Sequence, residues 1–124
     1  MAETARDLIS AELLIVPIID ANRKSYTYVA TSGLGSADIL NVNLKNEVGM
    51  CGWVLKNERP LLFGESDEWW MDEKSRWEKG QQSALLVPIM GENQIIGGIS
   101  GIGKIGGGSF TVHDLDVLSL FANR

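Results

Sequence analysis

A single cysteine, Cys51, is the whole thiol content of the chain, so no disulfide can form within it. A single histidine, His113, leaves too few soft ligands for a zinc site. Positive charge is not in excess: 11 Lys and Arg stand against 16 Asp and Glu, a net charge of −5. A basic footprint for DNA or RNA is therefore missing. No apolar run is longer than the seven residues at 13–19, whereas a membrane-spanning helix needs ~20. The chain opens without the charged and apolar regions of a signal peptide. Together these absences fit a reducing, cytoplasmic setting. A soluble piece of a membrane-attached protein would share all of them.

What remains is an ordinary globular composition, 44% apolar and 22% charged, in 124 residues. That is one small domain with enough chain to bury a core. Both ends read as cuts. A helical pattern at residues 4–11 (Ala5, Leu8, Ile9) begins almost at once, and an apolar pattern is still running at Arg124. The expectation is a domain excised from a longer multidomain protein.

Residues 12–20 (ELLIVPIID) form a dense Ile/Val-rich run, a strand buried on both faces. Pro17 cannot donate to a ladder and so marks an edge or a bulge. A turn at 21–24 leads into an alternating strand at 25–31, and 32–36 is a glycine-punctuated loop. Leu40, Val42 and Leu44 alternate with polar residues as a short half-buried strand. Residues 48–56 read as a helix with Val48, Cys51, Val54 and Leu55 on one face and Trp53 on the other. Asn57 and Pro60 end it, and a short strand follows at 60–63. Strands at 84–90 and 95–100 flank a hairpin turn at 91–93. A last helix opens at Thr111, where Thr111 and Asp114 resemble a capping box. Hairpin-joined strands with helices at both ends imply a mixed α+β fold on an antiparallel sheet.

Several pieces, in order, resemble the GAF domain, a sensory or regulatory module of bacterial-type signalling proteins. Gly49-Met50-Cys51-Gly52-Trp53-Val54 is similar to the family's G-x-x-G-x-V helix, and Glu58-Arg59-Pro60-Leu61 to its turn into the next strand. Ser83-Ala84-Leu85-Leu86-Val87-Pro88-Ile89 resembles its S-x-L-x-V-P strand. Ile96-Gly97-Gly98-Ile99 is similar to its second glycine strand, and residues 110–118 (FTVHDLDVL) to its closing helix. The resemblance implies an α/β/α three-layer sandwich. A central antiparallel sheet of five or six strands carries the terminal helices on one face, with pocket-covering helices and loops on the other. It also implies a module that regulates a separate output domain in the same parent chain. It says little about the ligand, because one scaffold serves many.

Residues 64–80 (GESDEWWMDEKSRWEKG) hold three of the four tryptophans and nine charges. In the family this position covers the pocket, which makes Trp69, Trp70 and Trp77, with Met71 among them, ligand-pocket candidates. Flat indole faces suit an aromatic or cationic ligand. Closing a lid over a core with few aromatics is the commoner role of such rings. Trp53 is either a further pocket residue beneath that lid or part of a helix buried on two sides. Cys51 is a candidate redox thiol near a helix start, although its apolar face fits an inert core cysteine. Bilin-binding relatives attach their chromophore at a cysteine usually followed by histidine. Cys51 is followed by Gly52, so bilin, like zinc, is not expected. The free methionine sulfoxide reductases of the family use several cysteines, and a single thiol cannot form their disulfide within one subunit.

Residues 101–106 match G-x-G-x-x-G literally, but the next helix waits until Thr111 and the flanks are antiparallel, against a dinucleotide fingerprint. The Asn-Lys-Phe-Asp-Glu set of cyclic-nucleotide binders has no counterpart that can be placed. His113 reads as a solvated surface residue, and Asp67, Glu68, Asp72 and Glu73 as a solvated acidic face. Leu115, Leu118, Phe121 and Ala122 form an apolar stripe on the last helix, broadened by Val117. One side can pack on the sheet, and the rest is a candidate homodimer surface. The leading expectation is a non-catalytic sensor that binds a small molecule or partner and signals through its terminal helices. The alternatives are a ligand-free dimerisation spacer and a thiol switch built on Cys51.

Overall fold

A computed structural model describes residues 2–33, 35–46, 49–63 and 83–122. Helix α1 spans Ala2–Ile9, followed by strands β1 (Ala11–Ile19) and β2 (Ser25–Gly33). A one-turn helix α2 (Ser36–Ile39), strand β3 (Asn43–Lys45), helix α3 (Gly49–Asn57) and strand β4 (Leu61–Phe63) come next. Strands β5 (Ala84–Met90) and β6 (Ile95–Lys104) and helix α4 (Val112–Ala122) complete the described elements. The strands form one six-stranded sheet in the order β3-β2-β1-β6-β5-β4. Every neighbouring pair is antiparallel. The expected α+β class and the GAF-like sheet are therefore present.

Strict alternation along the strands divides the core in two. Leu13 and Ile15 of β1, Leu86 of β5 and Ile102 of β6 point to the face covered by α3. Leu14 and Val16, Leu85 and Val87, and Ile99 point to the face where Ala5 and Ile9 of α1 and Leu118 of α4 pack. The continuous apolar run at 13–19 is thus explained by a strand buried on both faces, lying at the centre of the sheet. Pro17 lies at a bulge, not an edge: the register with β2 shifts between Val16 and Pro17, so that Val16 opposes Ala30 and Pro17 opposes Tyr28. The extra residue, Val29, is exposed. The shift accommodates a residue with no N–H inside a central strand.

Glycines let the layers close. A Cβ on Gly97 would stand 2.4 Å from the Pro17 carbonyl oxygen, and one on Gly101 would stand 2.6 Å from Cδ1 of Ile9. The first lets β6 lie against the bulged part of β1, and the second lets α1 sit down on the sheet.

Two expectations are corrected. The strand drawn through Leu40, Val42 and Leu44 is only β3, and Leu40 is exposed in the turn after α2. Asn41 adopts φ 70°, a left-handed conformation that asparagine tolerates and that breaks a strand. Strand β6 also runs four residues further than expected, to Lys104, because its far end continues to pair with β1 and β5.

Candidate functional site

Helix α3 is apolar until its last turn, and its residues from Gly49 to Val54 are buried. Cys51, Val54 and Trp53 belong to one core cluster with Leu13, Ile15, Tyr26, Tyr28 and Leu86. Trp53 is 5% exposed, as both readings of it require. The Arg59 guanidinium lies 5.3 Å from its ring centroid, a cation–π contact just past the helix end. The Trp53 carbonyl accepts a hydrogen bond from the Asn57 side chain at 2.8 Å. Tyr26 and Tyr28 meet edge to face, with ring centroids 5.6 Å apart. This face therefore gathers Trp53 and both tyrosines. Cys51 is a buried residue of α3, and Trp69, Trp70, Met71 and Trp77 lie outside the described residues.

One polar group on this face escaped the sequence reading. Ser100 of β6 stands between Ile15 and Leu86 in the sheet, is 0% exposed, and its Oγ has no hydrogen-bond partner among the described residues. Such a group is costly unless a water, an ion or a ligand meets it. The signal was in the sequence: a lone hydroxyl among the isoleucines and glycines at 95–103.

At the far end of the same strand the terminal helices come together. Thr111 caps α4, with its Oγ1 accepting the Asp114 amide at 3.2 Å while its own amide donates to Asp114 Oδ2 at 2.9 Å. This reciprocal pair is the expected capping box. Lys104 Nζ donates to Asp114 Oδ2 at 3.0 Å and to the Ile9 carbonyl at 2.9 Å, and it lies 5.4 Å from the Phe110 ring centroid. Burial pushes the Asp114 carboxyl up, but hydrogen bonds from Thr111 and Lys104, with the lysine charge, outweigh it and hold the pKa below its ordinary value. The literal G-x-G-x-x-G is structural: its first four residues belong to β6, and a connector separates them from α4.

The stripe on α4 splits. Leu118 is 1% exposed and packs into the core against the sheet, so it cannot meet a partner, a correction to its place on the dimer surface. Leu115, Phe121 and Ala122 are half-buried against the same core. The apolar surface left outside is an open groove of about 380 Å³ lined by Leu8, Val117, Leu120 and Phe121. Leu120 is 75% and Leu8 56% exposed. His113 is exposed. Among the described residues no cluster of His, Cys, Asp and Glu could hold a metal ion, and no helix is long and apolar enough to cross a membrane.

At the opposite end of the sheet, Asp20 accepts hydrogen bonds from Ser25 Oγ, from Thr27 Oγ1 at 2.9 Å and from Asn43 Nδ2 at 2.7 Å. The Ser25 bond leads in holding its pKa below the ordinary value. These donors lie on β2 and β3, so the network pins the edge strand.

A family model described as "GAF domain" matches residues 1–124. The chain is a GAF domain. Among solved structures, the GAF domain of an Acinetobacter phosphoenolpyruvate-protein phosphotransferase superposes with a TM-score of 0.82 at 19% identity, covering 98% of this chain and 73% of that one. The GAF-B domain of DevS from Mycobacterium smegmatis gives 0.76 at 18%, covering 98% and 81%. The same fold serves an enzyme: type II free methionine-R-sulfoxide reductase from Thermoplasma acidophilum gives 0.76 at 14%, covering 98% and 82%. No curated protein sequence matches the chain. At these identities the structural likeness speaks for the fold alone.

Proposed function

We propose that this GAF domain is a non-catalytic sensory or regulatory module that takes a small molecule on the α3 face of its sheet. The change is then relayed through α1 and α4 to an output domain of a signal-transduction protein. The observation that carries this reading is the Ser100 hydroxyl, which has no hydrogen-bond partner among the described residues and is buried on the same face as Trp53, Tyr26 and Tyr28. A ligand polar atom would satisfy it, while the aromatic side chains supply apolar surface. Relay requires that the ligand bind two helix arrangements with different affinity. Ser100 and Lys104 lie on one strand, so the two faces share a rigid element. The single thiol, buried on α3, supports regulation over sulfoxide reduction or a redox switch, and it fits a cytoplasmic setting.

The test is a titration with nucleotides, amino acids, haem and common metabolites, read by tryptophan fluorescence and melting temperature. A ligand that raises the melting temperature of the wild type, and does so less in Ser100→Ala, supports the reading. Silence from every compound overturns it in favour of a ligand-free spacer.

The groove on α1 and α4 supports a second reading, a homodimer in which a second copy covers Leu8, Val117, Leu120 and Phe121. Two-fold association through one self-complementary patch is the commonest oligomeric arrangement. Leu120→Glu should abolish a concentration-dependent dimer in sedimentation while changing the stability of the fold by less than about 0.5 kcal/mol, as for an exposed site. A monomer at all concentrations in the wild type would defeat it.

A further inference from the structure

We propose that Lys104 is a positioning residue that locks α1 and α4 into one mechanical unit at the end of β6. A single ammonium group donates to the last carbonyl of α1, at Ile9, and to the capping carboxylate of α4, at Asp114, 2.9 and 3.0 Å away. The two acceptors are complementary in helix electrostatics. A cation is favourable at the C-terminal end of α1, and a carboxylate is favourable in the first turn of α4. Lys104 alone would be unfavourable beside an α4 N-terminus, and Asp114 removes that conflict. The lysine is itself fixed to the sheet, since its amide donates to Ser83 Oγ at 3.2 Å and the neighbouring Gly103 amide donates to the Ser83 carbonyl at 2.9 Å. The Ile105 amide donates to the Ser10 carbonyl at 2.8 Å, just beyond α1, which holds the same junction from the backbone. Ser83 is buried just before β5, so β5, β6 and both terminal helices meet at one point.

A charge-assisted bond shared by two helix ends makes the release of one helix felt by the other. Movement of β6 therefore reaches α1 and α4 together and not separately. This coupling stands on the geometry of the junction whether or not a ligand binds the α3 face, so it can fail independently of the sensory reading.

The experiment is residue-resolved amide hydrogen exchange on the wild-type chain and on Lys104→Met. Loss of the shared bond should speed exchange about tenfold at the Ile9 and Ser10 amides and equally at Asp114 and Leu115, while Ile15 and Val87 in the sheet change less than about twofold. Faster exchange in one helix only, the same factor across the sheet, or no change would each overturn the proposal. Should Lys104→Met fail to fold, Lys104→Leu, which likewise carries no donor, is measured by the same criterion.

Discussion

The two faces of the sheet are built from the same strands, residue by alternate residue, yet they are closed by different means. Under α1 and α4 the core is mainly aliphatic, with Leu14, Val16, Leu85, Val87 and Ile99 around Leu118. Its rim is sealed by a capping box and a lysine that binds both helices. Under α3 the core gathers Trp53, Tyr26, Tyr28, Met50 and Cys51, and the same face holds a buried hydroxyl with no described partner. Aliphatic packing with a satisfied polar rim specifies one arrangement. An aromatic and polarisable wall with an orphan donor leaves something for another molecule to supply. The difference separates the holding face from the receiving face.

The harshest way to break the comparison is to remove the central side chain of each face. Leu118→Ala should cost about 2–5 kcal/mol and Trp53→Ala about 3–5 kcal/mol of unfolding free energy in urea titrations, because both sites are buried. A Trp53→Ala cost below about 1 kcal/mol, as for a side chain outside the packed core, would contradict the burial of Trp53 in the α3 core.

A smaller effect of opposite sign comes from the receiving face. Ser100→Ala removes a buried hydroxyl that lacks a described partner, so the variant should be more stable than the wild type by about 1 kcal/mol. Destabilisation of that size would mean that the hydroxyl is already satisfied in the native protein. Gained stability with weakened ligand response would be the trade expected of a binding group kept against the interests of folding.

The features readable from the sequence were those written in local chemistry. The S-x-L-x-V-P strand, the β5–β6 hairpin and the Thr111–Asp114 box each depend on residues within a few positions of one another, and each stands where its spacing put it. The misplaced strand near Leu40 came from an accidental alternation that the left-handed Asn41 interrupts. Leu118 was assigned to a stripe by helical period alone, and period cannot say which side of a stripe meets the sheet. Lys104 lies 95 residues from the Ile9 carbonyl it holds. No periodicity or motif contains that contact; only the folding of α1 onto the end of β6 creates it. The tryptophans at 69, 70 and 77 were legible as a composition, and their relation to Trp53 lies outside the described residues.

The gentlest probe sharpens the holding face by pH. Asp114 has its folded pKa held below the ordinary 3.8, so it stabilises the fold above that value, where it is charged in both states. Its contribution is lost as pH falls from 3.8 through the lower folded value, because the unfolded chain takes up the proton first. In Asp114→Asn that part of the acid loss should disappear, leaving a shallower fall in stability on the acid side. Asp20, whose pKa is also lowered, continues to supply a slope of the same sign, so the variant profile should flatten without becoming level. The measurement is the urea midpoint from pH 6 down to pH 2.5 in both proteins. Unchanged acid slopes would mean that the Lys104–Asp114 pair is solvated in solution, and that the rim of the holding face is less firmly closed than its geometry implies.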